Sequence, residues 1–376
     1  MSLRPLDGFV IGITADRRWE EQAELLSRRG ASIIHGPTIT TLYLASEENL
    51  RRATMAVMAE PPDYLVATTG IGIRAWLDTA AAWGVGDELV AALGRARIVA
   101  RGPKSAAALQ IAGLPVWQRS PTERMDALVE ILLAQPLSGL QVAVQEYGMG
   151  SPELIEALHE AGAKVVTVPV YRWCLPADPE PARRLARAAC AGQVDAITFT
   201  SAPAVHNLFA LAGSPEADQL RVALNGGVVA ACVGPVCAGG AREEGIREPL
   251  TPSIGRLGLL VRILGDHVSG ARSVHRLGGH ELIVQGGAIC LDGVVEQLSP
   301  TERSILDMLI RKPGAVVSRP ALLGRVWGDP DANPHLLEVA VSRLRCRLGP
   351  AGVALQAVSG RGYRFHSGDS SPTPPC

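Results

Sequence analysis

The chain has 376 residues, enough for two or three domains with ample cores. Its 36 Lys and Arg nearly balance 37 Asp and Glu, which excludes a protein that coats nucleic acid or a membrane along its whole length. The seven cysteines include no Cys-x-x-Cys pair, so buried thiols of a reducing compartment are expected rather than zinc ligands or disulfides.

From the N-terminus, short apolar runs alternate with amphipathic stretches. Strands are predicted over Phe9–Thr14, Ser32–His35, Tyr64–Thr68 and Ile98–Ala100, with helices over Glu20–Arg29, from Ile73 and from Lys104. The series then restarts with Gln141–Gln145, Glu153–Ala161, Val165–Val168, Ala196–Thr200 and Val229–Val233. The restart is a duplication. Gly30-Ala31 recurs as Gly162-Ala163, Pro37 as Pro169, Asp63 as Asp195, Thr68 as Thr200, Gly102-Pro103 as Gly234-Pro235 and Gly113 as Gly245, each 132 residues on. Arg124, Leu128 and Leu132 recur as Arg256, Leu260 and Leu264 at the same offset.

Strands alternating with crossover helices specify an α/β fold with doubly wound parallel sheets, covered on both faces. Ligands of such sheets bind beyond the carboxyl ends of the strands. The turns Thr68-Thr69-Gly70, Gly102-Pro103-Lys104-Ser105, Thr200-Ser201 and Gly234-Pro235-Val236-Cys237 are therefore placed around one mouth. Each leads from a strand into a helix, where free N–H groups and the helix dipole favour an anion. Thr68, Thr69, Gly70, Gly102, Ser105, Thr200, Ser201, Gly234 and Cys237 are the candidate ligand-binding residues.

These motifs, with Leu65–Leu77, Ala100–Leu114 and Val168-Pro169-Val170-Tyr171-Arg172, resemble uroporphyrinogen-III synthase over residues 8–265. The resemblance implies two α/β lobes facing across a cleft and joined by a two-stranded hinge. The crossings would fall near Pro37 and Pro169–Tyr171, giving an outer lobe of 8–37 with 171–265 and an inner lobe of 38–170. It also implies closure of hydroxymethylbilane to the III isomer without metal or cofactor. Tyr171 matches the family's cleft tyrosine and so stands as the catalytic candidate, protonating or orienting the leaving hydroxyl. Three departures weigh against turnover: Cys237 replaces a usual hydroxyl residue, Gln145-Glu146-Tyr147 replaces a basic or glycine-rich turn, and Asp16 intrudes after Thr14-Ala15. Glu146 would repel a polycarboxylate.

Residues 266–280 read as a linker, because Val268–Gly279 is rich in Ser, Gly and Arg. A β platform at Glu281–Gln297 leads into a three-helix pattern. Ser299 and Glu302 form a capping box, Ile305, Leu306 and Leu309 make the first core stripe, and Gly314 ends the helix. Ser318 caps a second helix carrying Leu322, Leu323 and Val326. In the third, from about His335 to Leu348, Leu337, Val341, Leu344 and Leu348 share one stripe, leaving Val339, Ser342, Arg343 and Arg345 opposite and Arg347 on a flank. Between Ser299 and His366, ten Arg or Lys face five Asp or Glu. A basic helix with an apolar residue among its arginines suits the major groove. With Gly360-Arg361-Gly362-Tyr363-Arg364-Phe365 as a wing, the segment 281–366 resembles the OmpR/PhoB-type winged-helix output domain.

That resemblance implies double-stranded DNA as partner, bound as a homodimer on half-sites about 10–11 bp apart. Val339, Ser342, Arg343, Arg345, Arg347 and Arg361 are the candidate DNA contacts. The Ser/Pro-rich tail Ser367–Cys376 is expected to be disordered. With no leader pattern and no apolar run near 18 residues, the expected location is the cytoplasm, away from membranes. The leading reading is a one-component transcription regulator whose synthase-like domain binds a small anion or tetrapyrrole and controls the winged helix. The alternative is an active uroporphyrinogen-III synthase with an appended DNA-binding domain. A third has the tail contacting RNA polymerase or another regulator.

Overall fold

Among the described residues up to 265, all sheet pairings are parallel except one two-stranded ribbon. The computed structural model describes residues 3–45, 48–146, 148, 150–270, 272–277 and 279–366. Tyr147 and the Ser367–Cys376 tail lie outside the described residues. Two units form, Met1–Ile39 with Pro176–Cys376 and Thr40–Leu175.

The second unit holds a five-stranded sheet in the order Val116–Arg119, Arg97–Ala100, Tyr64–Ala67, Gln141–Gln145, Lys164–Val168. Its central strand is buried throughout, with Tyr64 and Val66 in one apolar cluster and Leu65 and Ala67 in another. That is the signature of a sheet covered on both faces. The antiparallel ribbon pairs Thr40–Tyr43 with Tyr171–Cys174 and belongs wholly to this unit. The boundaries therefore fall at Ile39/Thr40 and Leu175/Pro176 rather than at 37/38 and 170/171. The reason is the ribbon's ladder, which ties residue 171 to residue 43 across the expected boundary.

The first unit carries a four-stranded sheet in the order Val229–Cys232, Ala196–Phe199, Val10–Ile13, Ser32–His35. Ile11 and Ile13 pack with Leu26 of the Trp19–Ser27 helix and with Leu260 and Leu264 of the Leu257–Ser269 helix. On the other face Gly12 lets the Glu180–Cys190 helix close in, since a Cβ there would lie 2.6 Å from Leu185 Cδ1.

The winged helix belongs to the same unit. Ser299 and Glu302 make both halves of the capping box on the Pro300–Ile310 helix. Ser318 Oγ accepts from Ala321 N to start the Arg319–Trp327 helix. The third helix, Pro334–Arg347, buries Leu337, Val341 and Leu344 against Ile305, Leu306 and Leu309, with Leu348 just beyond its end. The wing pairs Leu355–Val358 with Gly362–Phe365.

The linker expectation for 266–280 is corrected. The Leu257–Ser269 helix runs into it, and Ser273–Leu277 forms an edge strand paired from Ser273↔Val284 to Leu277↔His280. The inner row holds Ser273, His275 and Leu277 and the outer row Val274 and Arg276, so neither row is consistently apolar and the composition hid the ladder. His275 on this strand meets Phe365 edge-on at 5.7 Å, and burial pushes its pKa below the ordinary 6.5. The fold thus prefers neutral His275. Its contribution is fully present above the unfolded pKa and is lost as pH falls through the depressed folded value. The melting temperature of the full chain should drop on acidification below about pH 6.5. His275→Phe should flatten that part of the drop; an unchanged pH profile would remove His275 as its source.

Candidate nucleic-acid interface and ligand turns

Asn333 Oδ1 accepts from His335 N and opens the third helix. On its outer surface Ser342, Arg343 and Arg347 are exposed and Val339 is half-buried. Ala340 packs inward with the core stripe. Arg345 departs from the expected exposed row. Its Nε and Nη2 donate to Leu355 O at 2.9 and 2.8 Å, because it follows core Leu344 by one 100° step and so faces the wing strand. Arg347 Nη1 lies 3.0 Å from Glu296 Oε2, an exposed pair of small energetic weight. Arg361 is exposed at the wing tip, next to Gly360 at φ +66°. The sequence reading missed exposed His335, Leu336, Glu338 and Cys346 on the same helix. Periodicity from the core stripe would have found them.

The ligand turns of the second unit are largely satisfied by the chain itself. Thr68 is buried and donates to Gln145 O at 2.7 Å. Thr69 N donates to Gln145 Oε1 at 3.1 Å, while Thr69 Oγ accepts from Gly72 N and from the Tyr171 hydroxyl, each at 3.2 Å. Gln145, fully buried, thus fills the start of the Gly70–Ala82 helix. Gly70 must lack a side chain, since a Cβ would lie 2.2 Å from Lys104 O of the neighbouring turn. Ser105 Oγ accepts from Gly102 N and donates to Gly102 O, closing its own turn. Tyr171 is 3 % exposed and packs in the apolar cluster with Val168 and Val170, flanked by Tyr43 and Trp173 rings. Glu146, half-buried at the end of the Gln141–Gln145 strand, is held above the usual carboxylate range by burial.

The turns of the first unit are different. Ser201 begins the Ala202–Ala212 helix and Gly234 the Pro235–Glu243 helix, and neither start has a side-chain cap. Thr200 is exposed and Ser201 partly so. These helices follow adjacent parallel strands, Ala196–Phe199 and Val229–Cys232, so both starts lie at one end of the sheet. They pack so closely that a Cβ on Gly240 would lie 2.6 Å from Ala202 Cβ. Two uncapped N-termini side by side leave N–H groups available to an anion. Cys237 takes no part in this opening: it is buried, its Sγ donates to Phe199 O, and its bonding to Cys232 together with burial pushes the thiol far above its ordinary range. At the same end, Trp19 and His35 stack at 4.0 Å, and His35 Nε2 lies 2.8 Å from Ala15 O. The sequence reading missed this pair, because residues distant in sequence meet only through the Val10–Ile13 and Ser32–His35 pairing. No group of three or more His, Cys, Asp or Glu among the described residues could hold a metal, and no described helix is long and apolar enough to cross a membrane.

The class defined by these elements is a duplicated parallel-sheet α/β protein carrying a winged-helix DNA-binding domain. The chain belongs to the uroporphyrinogen-III synthase HemD family, which matches residues 20–261. Residues 293–365 match the family of transcriptional regulatory protein C-terminal domains. The chain is 31% identical over 255 residues to the uncharacterized protein YjjA of Bacillus subtilis, covering 68% of this chain and 94% of that one. A mutant uroporphyrinogen III synthase from the extreme thermophile Thermus thermophilus is similar in structure, with TM-score 0.59 and 32% identity over 70% of this chain and 99% of that one. The C-terminal region is 41% identical over 76 residues to the transcriptional regulatory protein CutR of Streptomyces coelicolor, 20% of this chain and 34% of CutR.

Proposed function

We propose that this DNA-binding regulator uses its synthase-family domain to bind a small anion, with tetrapyrroles and their linear precursors as first candidates, and that the ligand controls how a pair of winged helices meets the operator. The observation that carries this reading is the contrast between the turns. Thr69 Oγ caps its helix and Thr68 and Ser105 bond to the backbone of their own unit, whereas the Thr200–Ser201 and Gly234 turns start two adjacent helices with no side chain engaged at either start. Binding therefore centres on Thr200, Ser201 and Gly234. Catalysis of ring closure is disfavoured, because the Tyr171 hydroxyl is spent on Thr69 and Glu146 adds an acid at a strand end. The similarity to the Thermus thermophilus enzyme favours the second reading, an active synthase.

The test is the melting temperature of the full chain with uroporphyrinogen III. A ligand at 100 times its Kd stabilises the native state by about 2.7 kcal/mol. Thr200→Ala with Ser201→Ala should abolish the shift and leave the ligand-free value in place. Ser105→Ala should do the opposite, costing about 1 kcal/mol of stability while the shift survives. A full shift in the Thr200/Ser201 variant would move the site elsewhere.

A further inference from the structure

The duplication supplies an internal control for one residue. Asp63 precedes the Tyr64–Ala67 strand and accepts from Gln141 N at 2.8 Å. Its repeat partner Asp195 precedes Ala196–Phe199 and accepts from Val10 N at 2.7 Å. Both carboxylates do one job, holding the amino end of a neighbouring strand. Asp195 alone has acquired a second partner from the winged helix: Arg303 Nη1 lies 3.0 Å from Oδ2, and Nη2 contacts Oδ1. The pair is mostly shielded, with side-chain exposures of 22% for Arg303 and 12% for Asp195.

Around this pair the platform sheet seats on the N-terminal segment. Gln285 Nε2 donates to Arg4 O and Asp7 O, and Gly287 N donates to Gly8 O at 2.6 Å. Leu3 packs with Ile283, Ala288 and Cys290. The seat leaves Ser342, Arg343 and Arg361 exposed, so it does not mask the DNA surface.

One turn further along its own helix, Arg303 has a second carboxylate. Asp307 Oδ2 lies 3.7 Å from Arg303 Nε. We propose that Arg303 is a partner-exchange latch, seated on Asp195 when the winged helix is docked and falling back on Asp307 when it lifts away. Asp307 already stands beside the guanidinium in the docked state, so lifting away costs Arg303 one carboxylate and leaves it the other, an i,i+4 pair that offsets a small part of the loss. The proposal concerns docking alone and does not depend on any ligand.

Hydrogen exchange of the full chain tests it, with the Gly287 amide reporting docking and the Tyr64–Ala67 amides as an internal reference. Arg303→Gln should speed exchange at Gly287 on the order of tenfold or more, with the reference unchanged. Asp307→Asn removes only the reserve partner, so it should slow exchange at Gly287, and in the Arg303→Gln background it should change nothing. Faster exchange in Asp307→Asn would make Asp307 a brace of the docked state and overturn the exchange mechanism. No change in either single variant would overturn the latch. If Arg303→Gln does not fold, the sign of the Asp307→Asn effect still decides.

Discussion

Replacing Arg343 with Ala should weaken operator binding by about 1–3 kcal/mol, roughly 5- to 150-fold, and leave the melting temperature unchanged. Replacing Arg345 should lower stability first. The two arginines are separated by two positions on one helix, yet their surroundings set opposite roles. Arg343 is exposed, so its guanidinium is available to a guanine edge. Arg345 gives both Nε and Nη2 to Leu355 O, and its loss leaves a carbonyl at the base of the wing without its donors, a cost of about 1–3 kcal/mol. Band shifts at fixed salt on a DNA site selected from a random pool, beside thermal melts, separate the two effects. If Arg343→Ala binds as well as the parent, the groove-reading role does not belong to this helix face. If Arg345→Ala loses affinity with no loss of stability, Arg345 must leave Leu355 to reach DNA.

Local rules carried much of the winged helix. A Ser-x-x-Glu cap, a stripe at helical spacing and a Ser at the second helix start each act within a few residues, and all three are realised at Ser299, Leu337–Leu348 and Ser318. The repeat likewise revealed the parallel strands, because strand–helix alternation is written twice. What stayed hidden depends on distant partners. Gln145 reads as a strand-end residue, and only the Ala67↔Gln145 register brings its amide onto Thr69 N. The hydroxyls of Thr68 and Ser105 are ligand groups or caps according to geometry that composition does not encode. Cys237 fills a position expected to face ligand, yet packing turns it to Phe199 O. The Arg303–Asp195 pair joins residues 108 apart and has no local signature at all. The edge strand Ser273–Leu277 escaped for a different reason: its inner row carries Ser273 and His275 and its exposed row Val274, the reverse of the usual apolar-in, polar-out alternation, so only the ladder identifies it.

The proposed ligand control requires thermodynamic coupling between the two sites. A ligand changes DNA affinity only if it binds one arrangement of the protein better than another, and such coupling is commonly about 1–3 kcal/mol. The strand Ala196–Phe199 runs from Asp195, which holds the winged helix through Arg303, to the Thr200–Ser201 turn proposed to hold the ligand. That places the two ends of one short strand in the service of the two functions. The most direct measurement is the affinity of the full chain for its selected DNA site, by fluorescence anisotropy at fixed salt, with and without saturating uroporphyrinogen III. The expected result is a change of roughly 5- to 150-fold, with an equal change in ligand affinity when DNA is bound. Equal DNA affinity with and without ligand, together with rapid formation of the III isomer from hydroxymethylbilane, would contradict it and establish a synthase that also binds DNA.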